Sequence, residues 1–571
     1  MRCAICSGPL ELRLPGASEA PSPAALSPSR HEPGAHGDLF ACTECGTVQQ
    51  PSLPRGRALH DLYRAMADDA YLAEAPGRRR TAERLLDLIG AHVPHGRLLD
   101  VGCGPGLLLD EARRRGYDVF GLELSATAAA HARDVLGLPV REMPLEHLVS
   151  EEFDVIVLAD VLEHLDDPLA ALEGCRDLLA PDGVLCVVTP DPSSLVARLA
   201  GRRWWGFLPG HAHLLPRRTL REVLAGRGLV ISTDVSLVRS FSARRWVEGL
   251  AERAGPLRAP LARLAEGLPG RAMLSLSLGD ERVMLAHRIE PRQPARPLAR
   301  DRGGEQRVHV VLPAYNAAAT VRSVAKSMPA AAADRALLVD DASTDDTVAV
   351  ALDAGFEVLR HPANRGYGAN QKTCYARAIL DGADVVVMVH ADDQYDPALV
   401  PEMVQPILDG RADVVIGSRL LRDRTIAGGM PRWKWLGNRG LTWVENRAFG
   451  RRYSEYHTGY RAFSTDLLRS IPFLRNDDAF VFDQEVFAQL IARGARVVEL
   501  PIPTRYFREA SSVSLLVSVG YGLRTIGVLA RFRLDRRLPW PLLRRSAAGW
   551  PEPRRAAGAE PADSRAYGRP V

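Results

Sequence analysis

Lysine is almost missing from this chain. It stands only at positions 326, 372 and 434 of 571, and arginine supplies the rest of the 73 basic residues. The net charge is just +4, and no basic block is interleaved with aromatics. Nucleic-acid binding, including an RNA-modifying role, is therefore not expected. Aromatic residues are sparse at 6%. No apolar run reaches the roughly 18 residues that a membrane-spanning helix needs. The opening "MRCAICSGPL" lacks the charged-then-apolar pattern of a secretory signal, so a cytoplasmic protein is expected. What remains is soluble globular composition, 46% hydrophobic and 25% charged, in a chain long enough for two or three domains.

The eight cysteines are unevenly placed. Cys3, Cys6, Cys42 and Cys45 form two C-x-x-C pairs, the spacing of a tetrahedral thiolate zinc site; the others stand singly. A closed set of four ligands leaves no open position, so this zinc is expected to be structural, the staple of a ribbon over 1–50. The insertion between the pairs is too rich in Pro, Ala and Ser to pack.

Strand-like and helix-like segments then alternate from about residue 60, fade near 290, and resume at "VHVVLPAYN". The expected organisation is a ribbon (1–50), an α/β domain (51–289), a Pro- and Arg-rich linker (290–306), a second α/β domain (307–534) and a disordered tail (535–571). The α/β halves share no repeated motif, so the chain reads as a fusion.

In the first half, "LLDVGCGPG" places Gly102, Gly104 and Gly106 between a strand and a helix, where glycine lets the backbone approach a ligand closely. Glu123 ends the next strand, 23 residues beyond Asp100, where an acid suits a pair of ribose hydroxyls. A nicotinamide dinucleotide is the competing reading. With "FDVIVLADVLEHLDDP" and "APDGVLCVVTP", these residues resemble the class I S-adenosylmethionine-dependent methyltransferases over roughly 60–290. The resemblance implies that Asp100, Gly102, Gly104, Gly106 and Glu123 hold the cofactor, with Asp160 near its methionine end. His164, His211 and His213 are candidate bases for the acceptor, each weighed against a plain loop or supporting role. A cysteine ribbon ahead of "LYRAMADDAYL" is similar to a subgroup acting on sugars and nucleotide-sugars, which implies a sugar or related small acceptor.

In the second half, "VVVMVHADDQYDP" crowds acids at the tip of an apolar strand. Carboxylates so placed repel until a cation arrives, and a nucleotide diphosphate needs such a cation. A solvated turn is the alternative. "LPAYNAAATV", "LLVDDASTDDT", "HPANRGYGANQKTCYARA", "VIGSRL", "HTGYRAF" and "VFDQEVFAQL" follow in order over 311–490. Together they resemble the inverting family 2 glycosyltransferases of GT-A fold, in the polyprenyl-phosphate branch. The resemblance implies a nucleotide pocket at Pro313, Tyr315 and Asp341, and a loop of Asn364, Gly366 and Gly368 close to the ligand. It implies Mg²⁺ or Mn²⁺ held by Asp392 and Gln394, with His390 standing where the family usually has an acid. Arg419 and Arg505 are expected at phosphates, and Asp483 as an acceptor base. The segment 511–532 reads equally as a helix on a membrane surface or as a core helix.

The expected fold class is thus α/β, with two doubly wound domains, one Rossmann-like and one GT-A, behind a small zinc ribbon. The expected protein is bifunctional. One half transfers methyl from S-adenosylmethionine. The other transfers sugar from a nucleotide-sugar donor to a lipid-phosphate, glycan or metabolite acceptor. The alternative makes the first half a docking module only.

Overall fold

The computed structural model describes residues 1–16, 21–27, 35–252, 258–269, 272–299, 301–303, 306–329, 331–421, 432–503, 515–535 and 540–551. The chain divides into two units, the first being Met1–Glu290 with Arg544–Gly549 and the second starting at Pro291.

The first unit opens with β1 (Leu10–Leu14) antiparallel to β2 (Leu39–Cys42), which pairs on to β3 (Val48–Gln49). Apolar runs covered on both faces then make a parallel core. It consists of β4 (Arg97–Val101), β5 (Asp118–Leu122), β6 (Val140–Arg141), β7 (Phe153–Ala159) and β8 (Leu179–Pro190), in the spatial order β8-β7-β4-β5-β6. β9 (His213–Leu214) leaves that sheet and pairs Gln49 with His213 and Val48 with Leu214, so the cysteine ribbon is completed by the domain behind it. β10 (Leu229–Ser236) follows, then a separate hairpin of β11 (Arg239–Ser242) and β12 (Met273–Leu276). Finally β13 (Glu281–Arg288) inserts antiparallel between β8 and β10.

The second unit is also seven-stranded. β14 (Val308–Ala314), β15 (Arg335–Asp340), β16 (Glu357–Arg360) and β17 (Val385–Met388) run parallel in the order β16-β15-β14-β17. β18 (Val414–Ser418) and β20 (Val497–Pro501) pair in parallel, and β19 (Arg461–Ser464) lies antiparallel between β17 and β18. Every residue of β17 is buried, which fixes the position of the acidic loop that follows it.

Two stretches differ from their expected description. Residues in the expected linker pair with the second unit: Arg292 and Val358 exchange backbone hydrogen bonds, and Leu298 N donates to Gly355 O. Within the expected tail, residues 544–549 pack on the first unit. Buried Arg227 donates to Ala548 O at 2.9 Å, and Glu222 accepts from Ser546 Oγ at 2.9 Å and Ala547 N at 2.7 Å. Backbone carbonyls and amides partnered in this way stay in place without any apolar periodicity to announce them.

Candidate functional site

The four ribbon sulfurs come together. Cys3 and Cys45 Sγ lie 3.6 Å apart and Cys6 and Cys42 Sγ 3.4 Å apart, with all four ligand atoms within 4.8 Å of one another. Gln49 Nε2 donates to Cys3 Sγ at 2.8 Å, as a group supporting a thiolate would. This donor set fits a tetrahedral zinc ion.

At the end of β4 the chain turns through three glycines with positive φ, 68° at Gly102, 55° at Gly104 and 85° at Gly106. A Cβ on Gly102 would strike Val161 at 2.7 Å and one on Gly106 would strike Leu138 at 2.6 Å, so these two serve packing. A Cβ on Gly104 would meet nothing within 4 Å, so the space beside that backbone is open. Glu123 Oε2 accepts from Gly104 N and Oε1 from Ser125 N, each at 2.7 Å, which fixes the acid beside the loop. Burial, reinforced by Glu123, pushes the Asp100 carboxyl up to about 8. Burial likewise raises Glu123.

A cavity of about 660 Å³ lies against this loop. Gly102, Gly104, Glu123, Asp160, Glu163, His164 and His211 line it, which brings four of the six cofactor candidates, without Asp100 and Gly106, and two of the candidate bases to one space. His213 is placed elsewhere: it is a buried residue of β9, its Nε2 meeting Asp166 O at 3.2 Å. Its strand pairs with Gln49 in the ribbon sheet, and His213 is not among the residues that line the cavity. Asp160, at φ 57°, pairs with Arg239 at 2.5 Å, and Arg239 also pairs with Glu281. Tyr63 Oη meets His164 Nδ1 at 2.8 Å. Tyr63, Glu163, Arg239 and Glu281 carried no expectation. Glu163 lies inside the quoted "LEHL", whereas Arg239 and Glu281 are joined to it only by the fold.

In the second unit the acidic loop sorts its carboxylates. Asp393 accepts from Ser323 Oγ at 2.7 Å and Asp396 from Ala398 N at 3.0 Å, both local tasks. Asp392 accepts from Gln394 N at 3.2 Å. His390 is held by aromatic edges of Tyr367 and Tyr395, and a Cβ on Gly459 would lie 2.2 Å from its Nε2. Burial lowers its pKa. Tyr367 Oη stands 3.2 Å from His390 Nε2 and donates to Asp483 Oδ2 at 3.3 Å. Asp483 also accepts from Gln371 Nε2 and, at 2.9 Å, from buried Arg461. The expected base is therefore the hub of a chain running from His390 through Tyr367 to Arg461. An open side of Asp392 next to a neutral imidazole fits a hard divalent cation.

Other expectations move. Asp341 accepts from Arg365 N at 2.9 Å and Gly366 N at 2.8 Å and meets His361 Nδ1 at 2.8 Å, so it ties down the loop that carries Asn364. Gly366 and Gly368 face protein instead of ligand space: a Cβ on either would strike the carbonyls of 477–479 at 2.5–2.8 Å. Arg419 turns its fork inward, to the fully buried Glu455 (2.8 Å from Nε) and His457 O (2.6 Å), because an unpaired carboxylate there would be costly. Pro313 sits half-buried in β14, Asn364 is exposed and Tyr315 is 52% exposed. Arg505 lies outside the described residues.

Comparison with known proteins falls along the same division. Residues 59–233 match the family model described as a methyltransferase domain, and residues 309–471 match glycosyl transferase family 2. A ubiquinone biosynthesis O-methyltransferase of Rhodopseudomonas palustris is 32% identical over 192 residues, 31% of this chain and 74% of that enzyme. A UDP-N-acetylglucosamine–dolichyl-phosphate N-acetylglucosaminyltransferase of Methanococcus voltae is 24% identical over 231 residues, 38% of this chain and 92% of that enzyme. Among solved structures, glucosyl-3-phosphoglycerate synthase of Mycobacterium tuberculosis aligns with 40% of this chain and 81% of its own, at 22% identity and a TM-score of 0.33. The chain thus belongs to the methyltransferases through its first half and carries a glycosyl transferase family 2 domain in its second, which makes it a bifunctional transferase.

Proposed function

We propose that the first half methylates a sugar or related small acceptor from S-adenosylmethionine. The second half, in this reading, moves a sugar from a nucleotide-sugar to a lipid-phosphate, glycan or metabolite. The observation that carries the first part is the shared cavity, where the open face of Gly104 and the Glu123 carboxylate adjoin Asp160, His164 and His211. S-adenosylmethionine, when bound, supplies an electrophilic methyl group. Gly104 and Glu123 would hold its nucleoside end and Asp160 its methionine end. Burial depresses the pKa of His164, keeping its imidazole neutral and able to accept a proton from an acceptor hydroxyl. The relatives' O-methyl transfer supports an oxygen acceptor.

For the second part, Asp392 at the tip of β17 carries the reading. Asp392, His390 and Gln394 would hold Mg²⁺ or Mn²⁺, which neutralises leaving-group charge. Asp483, oriented by Arg461 and Gln371, would take the proton of a hydroxyl acceptor; an ionised lipid phosphate would need no base. The dolichyl-phosphate enzyme among the relatives supports a nucleotide-sugar donor and a lipid-phosphate acceptor. Peripheral contact with a membrane is supported by exposed Leu436 and Trp443 on the helix Arg432–Phe449, and by exposed Leu523 and Ile526 on Leu515–Leu534. Among the described residues no helix is long and apolar enough to cross a membrane. Zinc in the ribbon would be structural. A cytoplasmic setting would keep the cysteines reduced.

The test is a panel of nucleotide-sugars with Mn²⁺, followed by nucleoside diphosphate release, alongside a titration with S-adenosylmethionine. A donor that releases diphosphate and a saturable cofactor signal are expected. No release with any donor would sink the glycosyl reading, and no cofactor binding would sink the methyl reading.

A further inference from the structure

The floor of the methyltransferase cavity holds more negative charge than its bases require. Asp160, Glu163 and Glu281 converge there, and Arg239 pairs with Asp160 and Glu281, each at 2.5 Å. Glu163 receives no such help. It is 1% exposed, its Oε2 accepts from Thr189 Oγ1 at 3.0 Å, and its Oε1 makes no hydrogen bond. A buried carboxylate oxygen with no donor is costly unless a proton or a cation joins it.

Two imidazoles stand beside it. His164 and His211 rings meet edge to face at 4.7 Å, and one ligand atom each from Glu163, His164 and His211 lies within 4.8 Å of the others. Both rings are oriented from behind. His164 Nδ1 meets Gly210 O at 3.0 Å and Tyr63 Oη at 2.8 Å, and His211 Nδ1 meets Gly206 O at 2.7 Å. A carbonyl only accepts, so each Nδ1 carries the hydrogen and each Nε2 keeps its lone pair. That is the tautomer and backing of a metal-ligating histidine.

We propose that Glu163, His164 and His211 bind a divalent cation, zinc by the character of the ligands, with an open position facing the cavity. Two imidazoles and one carboxylate leaving a fourth position open is the make-up of a reactive zinc site, unlike the closed cysteine site of the ribbon. Zinc ligands at about 2.0–2.1 Å lie about 3.3 Å apart around a tetrahedral ion, so small side-chain rotations close the set. The open position would take an oxygen of the methyl acceptor and acidify it, in place of proton acceptance by a metal-free His164; that role, though not the binding itself, rests on the methyltransferase reading above.

The experiment uses the full-length chain with Asp392→Asn, which removes the cation site proposed in the second unit, stripped of metal and reloaded with Zn²⁺ or Co²⁺. Two ions per chain are expected. The cobalt form should show thiolate charge-transfer absorption from the ribbon and, separately, d–d absorption from a nitrogen and oxygen site. Glu163→Gln and His211→Ala should each hold one ion and keep the thiolate band. Tyr63→Phe, which removes a group behind His164, should weaken the second ion about tenfold. A parent protein that holds one ion overturns the proposal, as does a Glu163→Gln chain that still holds two. The first of these outcomes needs no variant of the first unit to fold. S-adenosylmethionine titration of the Glu163→Gln chain, with its ribbon zinc in place, reads the methyltransferase assignment separately, so either can fail alone.

Discussion

Asp100 shows how one carboxylate couples a ligand site to stability. Burial, and secondarily Glu123, raises it from 3.8 to about 8. A raised carboxyl holds its proton more tightly in the folded chain. Its contribution is therefore fully present below the unfolded value and is lost as pH climbs through the folded one, between about 4 and 8. Asp100→Asn should leave the cofactor-free midpoint unchanged near pH 4 and raise it at pH 8, at about 2–4 °C per kcal/mol. Thermal melts of both proteins across that range decide; a variant less stable at pH 8 contradicts the burial argument. In the other half, Asp392→Asn should cost about 10²-fold or more in sugar transfer, since leaving-group charge goes unneutralised. His390→Asp should keep turnover within about tenfold and tighten Mn²⁺, because a second acid joins the first. If His390 bonds the donor diphosphate directly, that change sets like charges together and turnover collapses. Turnover and Mn²⁺ titration on both variants separate the two.

At the scale of elements, the ribbon depends on its sulfurs and on a strand borrowed from the domain behind it. Cys42→Ala should lose the ribbon zinc and, through β2, β3 and β9, loosen the segment that carries His211. Metal analysis with hydrogen exchange over 205–215 tests both, and a variant with its full zinc content would discard the thiolate site. The ribbon's ligands were legible because C-x-x-C spacing is itself the chemistry. The β4 turn was legible because glycine in that position has few other uses. β13 was harder to read, since insertion between β8 and β10 is a tertiary choice that local periodicity does not encode. The same limit explains Arg419, Gly366 and Gly368. Their residue types suit a phosphate loop, but the partners that claim them, Glu455 and the 477–479 carbonyls, come from distant sequence. His213 was misread for a different reason. Two residues from His211 in a strand-like pair, it looked equivalent, yet the β9 pairing with Gln49 sets it in the ribbon sheet.

For the whole molecule the question is whether two transferases on one chain work separately. Each unit has its own seven-stranded sheet and its own apolar cores, and the candidate methyl-transfer residues all lie in the first. Gly104→Val tests the separation at a single point. Its Cβ would meet no protein atom within 4 Å, so the change fills ligand space without a packing clash. The positive φ of 55° adds backbone strain of about 1–2 kcal/mol, which the first unit bears alone. The expected outcome is loss of S-adenosylmethionine binding with nucleotide-sugar turnover within about twofold of the parent, since neither the β17 loop nor Asp483 senses the change. Gly104→Ala carries the same φ strain with less bulk, and should bind the cofactor more weakly than the parent but better than the valine variant. If both activities fall together while the second unit melts normally, the halves are coupled and the chain acts as one enzyme with two centres. Isothermal titration with the cofactor, run beside diphosphate release on the same preparations, distinguishes these outcomes.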